Sequence, residues 1–209
     1  MVKYLCILNY KVIQMKKNVF LFLLLSLITY LPAQIADKPE NIAPLLIGEK
    51  IPSSTLQDVQ GKTKNTGELF AQKTILIVYR GGWCPYCNAQ LSDIQEIEKD
   101  ILALGYQIIA VSPDAPSFLK ETIEKDHLGY QLYSDSNGVF SKALGVAFAA
   151  PEKYGKMLGK YSDNKNTNWL PVPTVYVLNE NQEIEFLYIN PDYSKRLSGK
   201  VLLNVLKSL

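Results

Sequence analysis

The sequence predicts an α/β fold with a central mixed sheet flanked by helices and an N-terminal β-hairpin. Three observations carry this. An apolar run, Thr74 to Tyr79, reads as a strand buried on both faces. It passes without a gap into Arg80-Gly81-Gly82-Trp83-Cys84-Pro85-Tyr86-Cys87, which opens a long helical pattern, and a second apolar run follows at Tyr106 to Val111. Strand, helix, strand in that order makes a βαβ unit with parallel strands and a right-handed crossover.

The remaining elements follow in chain order. Ser53 to Asn65 predicts a hairpin turning near Asp58-Val59-Gln60-Gly61, with glycine supplying the permissive backbone. Leu91, Ile94, Ile97, Ile101 and Leu104 repeat at helical spacing, so one helix is expected from Cys84 to Leu104, stopped by Gly105. A helix over Ser117 to Asp126, a strand over Tyr130 to Tyr133 and a helix over Val139 to Leu144 come next, with His127 at a helix end in a cap or surface role. Gly145 to Trp169, polar and Lys-rich, is expected to be an insertion with one helical segment. Thr174 to Leu178 and Glu183 to Ile189 form a second hairpin, and Ser198 to Leu209 closes the chain as a helix with Val201, Leu202, Val205 and Leu206 inward.

The N-terminus differs from the rest. Residues 1–34 contain Lys3, Lys11, Lys16 and Lys17 but no acid, and Met15-Lys16-Lys17 before an apolar stretch has the layout of a secretory signal, with a start at Met15 and cleavage near Leu31-Pro32-Ala33. The alternative is a membrane anchor through residues 19–36. Residues 35–52 read as a linker and 53–209 as the domain. Without residues 1–34, 18 Lys and Arg face 20 acids, so the formal charge changes from +2 to −2 and nothing suggests a nucleic-acid surface. An exported chain, periplasmic or extracellular, also loses Cys6 and keeps only Cys84 and Cys87.

Two cysteines three apart at a helix start suit redox chemistry. Cβ atoms at i and i+3 lie about 5 to 6 Å apart, and a disulfide spans Cα atoms about 4.4 to 6.8 Å apart. The free N–H groups and positive dipole end of a first turn favour a thiolate. Pro85 suits the first helical position, where an N–H is dispensable. An inert disulfide is one alternative. Zinc is another, but it takes four ligands, and the chain offers only Cys6 and His127 outside the motif. No metal or cofactor is expected.

Element order and motifs together resemble the thioredoxin fold, and Val78 to Cys87 resembles the peroxiredoxin-like branch of the AhpC/TSA family. So do Val111-Ser112-Pro113-Asp114, Pro173-Thr174-Val175-Tyr176-Val177 and Pro191-Asp192-Tyr193. The resemblance covers roughly residues 45–209 and implies two alignments of the motif. The thioredoxin pattern makes Cys84 the attacking thiolate and Cys87 the resolving one, places Arg80 and Trp83 beside the substrate, and expects a cis Val172–Pro173 bond whose preceding backbone pairs with an extended substrate segment. The peroxiredoxin pattern Pro-X-X-X-Thr-X-X-Cys falls on Arg80, Cys84 and Cys87, with its later arginine at Pro173, so the polar groups that hold peroxide are absent at the matching positions. The implied activity is dithiol–disulfide exchange with external thiol or disulfide proteins such as a thioredoxin-like reductant. Hydroperoxide reduction is the alternative, and a non-catalytic binding module the third reading.

Overall fold

The computed structural model describes residues 35–209. The expected signal or anchor, residues 1–34 with its start at Met15, lies outside the described residues apart from Ile35 and Ala36 at the end of the anchor reading. The expected linker, 35–52, is irregular but attached: Ala36 bridges to Phe148 and Lys50 to Glu183, and Ile51 is buried.

The hairpin is β1 (Thr55–Gln57) and β2 (Thr63–Asn65), turned by Gly61 at φ 79°. A short helix α1 (Thr66–Leu69), capped by Asn65, leads to β3 (Thr74–Val78). Helices α2 (Pro85–Glu96) and α3 (Glu98–Ala103) precede β4 (Gln107–Ser112). Then come α4 (Pro116–Asp126), β5 (Gln131–Ser134), α5 (Val139–Ala143), β6 (Ala147–Ala149), α6 (Gly155–Tyr161) and β7 (Trp169–Pro171). The chain closes with β8 (Thr174–Leu178), β9 (Ile184–Ile189) and α7 (Gly199–Leu206).

Seven strands form one mixed sheet in the order β2-β1-β5-β4-β3-β8-β9, and β6 and β7 form a separate antiparallel pair. β3 is parallel to β4, as the βαβ reading expects, and antiparallel to β8. All five β3 residues are buried, and alternate side chains enter different cores. Ile75 and Ile77 pack with Leu91, Ile94, Leu202 and Leu206 on the α2/α7 side. Leu76 and Val78 pack with Phe70, Phe140 and Tyr176 on the other. Each such side chain contributes about 1.5–3 kcal/mol, so β3 is anchored from both faces at the point where it delivers the cysteine motif.

Three expectations are corrected. The single helix over 84–104 breaks at Ile97 (φ −107°, ψ 9°), whose N–H donates to Gln95 O and Ile94 O in place of the regular ladder. The 145–169 insertion holds α6 and also the β6–β7 pair, whose three-residue strands are too short for periodicity to register. In α7 Leu202 and Leu206, one turn apart, are buried with Gly199, whereas Val205 is half-buried and Val201 is exposed. His127 does end α4, in the left-handed conformation at φ 50°.

Candidate functional site

Beyond β3 the chain turns sharply because two glycines leave no room for side chains. At Gly81 (φ 139°) a Cβ would collide with Trp83 Nε1 and stand 2.7 Å from Asp114 Oδ1; at Gly82 it would collide with Thr122 Oγ1. The Gly82 N–H donates to Asp114 Oδ2 (2.7 Å), Asn88 Nδ2 donates to Gly82 O (2.9 Å), and the Cys84 N–H donates to Gly81 O (3.1 Å). These bonds tie the turn to the end of β4 and to α2. Cys84 then occupies the N-cap of α2 with extended backbone (φ −93°, ψ 114°), Pro85 opens the helix, and Cys87 lies in its first turn.

Both cysteines are free thiols, 1% and 0% exposed. Cys84 is acidified to about 6, first by hydrogen bonding from the Cys87 thiol and further by the charges of Arg80 and Arg196, against the opposing effect of burial. Burial pushes Cys87 well above its ordinary range, and its hydrogen bond to Cys84 adds to the rise. Arg196 Nη2 lies 3.3 Å from Cys87 Sγ, which works the other way. The two thiols titrate as a pair, and the first proton leaves Cys84, because only there do the donors outweigh the loss of solvation. Asp114, buried beneath the turn, is pushed up to about 7 by desolvation despite the Gly82 N–H.

Arg196 is held in place by donating from Nε to Tyr193 O (2.8 Å) and from Nη1 to Gln90 Oε1 (3.0 Å). The resemblance puts the peroxiredoxin arginine at Pro173, where none stands; a second guanidinium, besides that of Arg80, arrives instead from the segment before α7. Sequence reading missed Arg196, although a signal existed. Among 22 Lys and Arg only two are arginines, Arg80 and Arg196, and both act on Cys84.

The other expected residues stand as follows. Arg80 is 4% exposed and lies over three rings, Tyr193 at 4.3 Å, Trp83 at 5.2 Å and Tyr154 at 5.4 Å from its guanidinium carbon. Trp83 is half-buried and packs on Tyr154. Val172 and Pro173 are buried and line a cavity of about 290 Å³ together with Arg80 and Tyr193. The Val172–Pro173 bond is not cis; the described residues contain no cis peptide. The Val172 N–H donates to Val146 O (2.9 Å) and its carbonyl accepts from Thr174 Oγ1 (2.8 Å). The backbone expected to pair with an extended substrate is therefore engaged within the fold.

The sequence profile of the AhpC/TSA family matches residues 47–187, a span that contains the whole turn, both cysteines and Asp114. The chain belongs to the AhpC/TSA family. Among its relatives, a putative peroxiredoxin Bcp of Haemophilus influenzae is 29% identical over 103 residues, covering 49% of this chain and 66% of that one. A probable thiol:disulfide interchange protein DsbE-2 of Pasteurella multocida is 28% identical over 146 residues, covering 68% of this chain and 76% of that one. The fold is that of reduced Prx3 from Vibrio vulnificus in complex with H2O2, with TM-score 0.67 at 18% identity over 78% of this chain and 99% of that one. This AhpC/TSA protein is thus of the peroxiredoxin-like thioredoxin fold and in the class of thiol-dependent oxidoreductases and peroxidases.

Proposed function

We propose that the protein is an exported thiol–disulfide oxidoreductase that cycles a Cys84–Cys87 disulfide. The observation that carries this reading is the asymmetry of the pair: one thiol acidified to about 6 at a helix N-cap, hydrogen-bonded to a second held protonated in the first turn. The Cys84 thiolate attacks a sulfur of an external disulfide, forming a mixed disulfide and releasing one partner thiolate, which takes up a proton. Cys87 then loses its proton and attacks Cys84, expelling the second partner thiol and closing Cys84–Cys87. Two electrons and two protons pass to the partner, and a thioredoxin-like protein is the class of reductant that reopens the pair. Asp114, near neutrality in its own titration and close enough to Cys84 to sense its charge, is placed to exchange protons as that charge comes and goes. The basic, apolar N-terminal stretch supports export.

Thiol-dependent peroxide reduction is the second reading, favoured by Arg196 on Cys87 and by the Bcp relative. There Cys87, deprotonated with the help of Arg196, attacks the peroxide O–O bond to give a sulfenic acid and release water or an alcohol. Cys84 condenses with the sulfenic acid, releasing water and forming the same disulfide. Both sulfurs are buried, so a partner disulfide reaches Cys84 only after the turn opens, whereas a small peroxide needs less movement.

Trapping separates the two. Under the exchange reading Cys87→Ser accumulates mixed disulfides through Cys84 and Cys84→Ser does not. A Cys84→Ser variant that still consumes peroxide with added thiol, alongside no disulfide reductase activity in the unmodified protein, turns the assignment to the peroxidase.

A further inference from the structure

Arg80 does more than bias the thiols. Its side chain is 4% exposed, its Nε is buried with no hydrogen-bond partner, and no carboxylate of the described residues lies within ion-pair distance of it. Three aromatic rings hold the guanidinium, but a ring face is a weaker partner than a carboxylate. Leaving a charged donor unmatched in a dry setting is costly. Arg80 lines the 290 Å³ cavity, whose wall is otherwise mostly apolar, from Phe148, Tyr154, Pro173 and Tyr193, with the exposed Lys153 as a second cation. A concave apolar wall with one buried cation is the make-up of a small-molecule site, and a guanidinium matches a carboxylate through paired N–H donors.

We infer that this cavity binds a small organic monocarboxylate, its acid group on Arg80 and its apolar body against the proline and aromatic wall. The binding itself stands apart from the proposed thiol chemistry. Its regulatory consequence rests on that reading: a carboxylate on Arg80 cancels a charge that stabilises the Cys84 thiolate, so occupancy makes Cys84 less acidic, and a Cys84 thiolate weakens carboxylate binding by the same factor.

Benzoate and its neutral analogue benzamide are the probes, titrated calorimetrically into the Cys84→Ser/Cys87→Ser protein so that binding is read without redox chemistry. Benzoate saturates one site, benzamide binds at least about tenfold more weakly, and Arg80→Met, which keeps much of the side-chain bulk, loses at least about tenfold in benzoate affinity. In the unmodified reduced protein, saturating benzoate moves the pH midpoint of Cys84 alkylation upward and benzamide leaves it in place. No saturable benzoate binding, equal binding of the two probes, or unchanged binding by folded Arg80→Met overturns the inference. Should Arg80→Met not fold, the probe pair and the alkylation shift decide alone. Because the thiol-free protein carries the binding measurement, an inactive dithiol with intact carboxylate selectivity refutes only the proposed function, and the reverse refutes only this site.

Discussion

With Cys84 titrating near pH 6, the reduced protein holds a thiolate through the neutral range although the sulfur is almost fully buried. The largest stabilising contribution is the Cys87 thiol donating to it, so removing that donor costs more than removing either arginine. Cys87→Ala therefore raises the pH midpoint of iodoacetamide alkylation at Cys84 toward 9, the ordinary cysteine value, and Cys87→Ser, which retains a donor, restores part of the shift. A midpoint near 6 in Cys87→Ala would refute this account of the acidity. Arg196 bears on both sulfurs, weakly on Cys84 through its charge and directly on Cys87 through a hydrogen bond. Arg196→Met deletes the donors to Cys87 and Gln90 while keeping the apolar stem, and under the peroxidase reading peroxide turnover falls by about tenfold to a hundredfold. Insulin-disulfide reduction, which under the exchange reading begins at Cys84, falls much less, and equal loss in both assays contradicts this division.

At the scale of elements, the turn between β3 and α2 is defined by what it excludes. A Cβ at Gly82 meets Thr122 Oγ1 on α4, itself fixed by donating to Phe118 O (3.0 Å). Gly82→Ala pushes α4 away from the motif and destabilises the protein by about 1–3 kcal/mol in urea denaturation. Thr122→Ala in the same chain recovers most of that loss, giving a coupling energy a double-mutant cycle resolves; additive losses would mean that the clash is relieved elsewhere. The same region shows which features local sequence encodes. β3, its neighbour β4 and the cysteine pair are legible because an uninterrupted apolar run, a glycine pair and Pro85 each restrict the backbone within a few residues. The break at Ile97 is not, because a side chain at helical spacing looks the same whether the ladder continues or tightens. Arg196 reaches Cys87 across 109 positions, a proximity created by packing α7 against α2. The trans Val172–Pro173 bond departs from the resemblance, and the Val172 backbone is taken by Val146 and Thr174, contacts that only tertiary structure brings about.

For the molecule as a whole, three buried acids set how stability depends on pH. Asp114 and Asp135 are each 1% exposed and are pushed from 3.8 to about 7 and about 6, chiefly by desolvation, even though Asp135 accepts from the Phe140 and Ser141 N–H groups at the start of α5. A raised acid binds more protons folded than unfolded, so its stabilising contribution is whole below pH 3.8 and is lost as pH climbs toward 7. Cys84 has the opposite sign: lowered from 9.0 to about 6, it contributes stability that is present above 9 and lost as pH falls through 6. Cys87 is displaced upward and titrates beyond this range. Reduced protein is accordingly least stable in urea near neutrality, with stability rising toward pH 4 and again toward pH 9. Oxidation to the Cys84–Cys87 disulfide abolishes the alkaline rise and keeps the acid one, whereas Asp114→Asn shrinks the acid limb to the part carried by Asp135 and keeps the alkaline one. An alkaline limb that persists in the disulfide form would assign it to groups other than Cys84 and remove the thermodynamic support for a thiolate at the N-cap of α2.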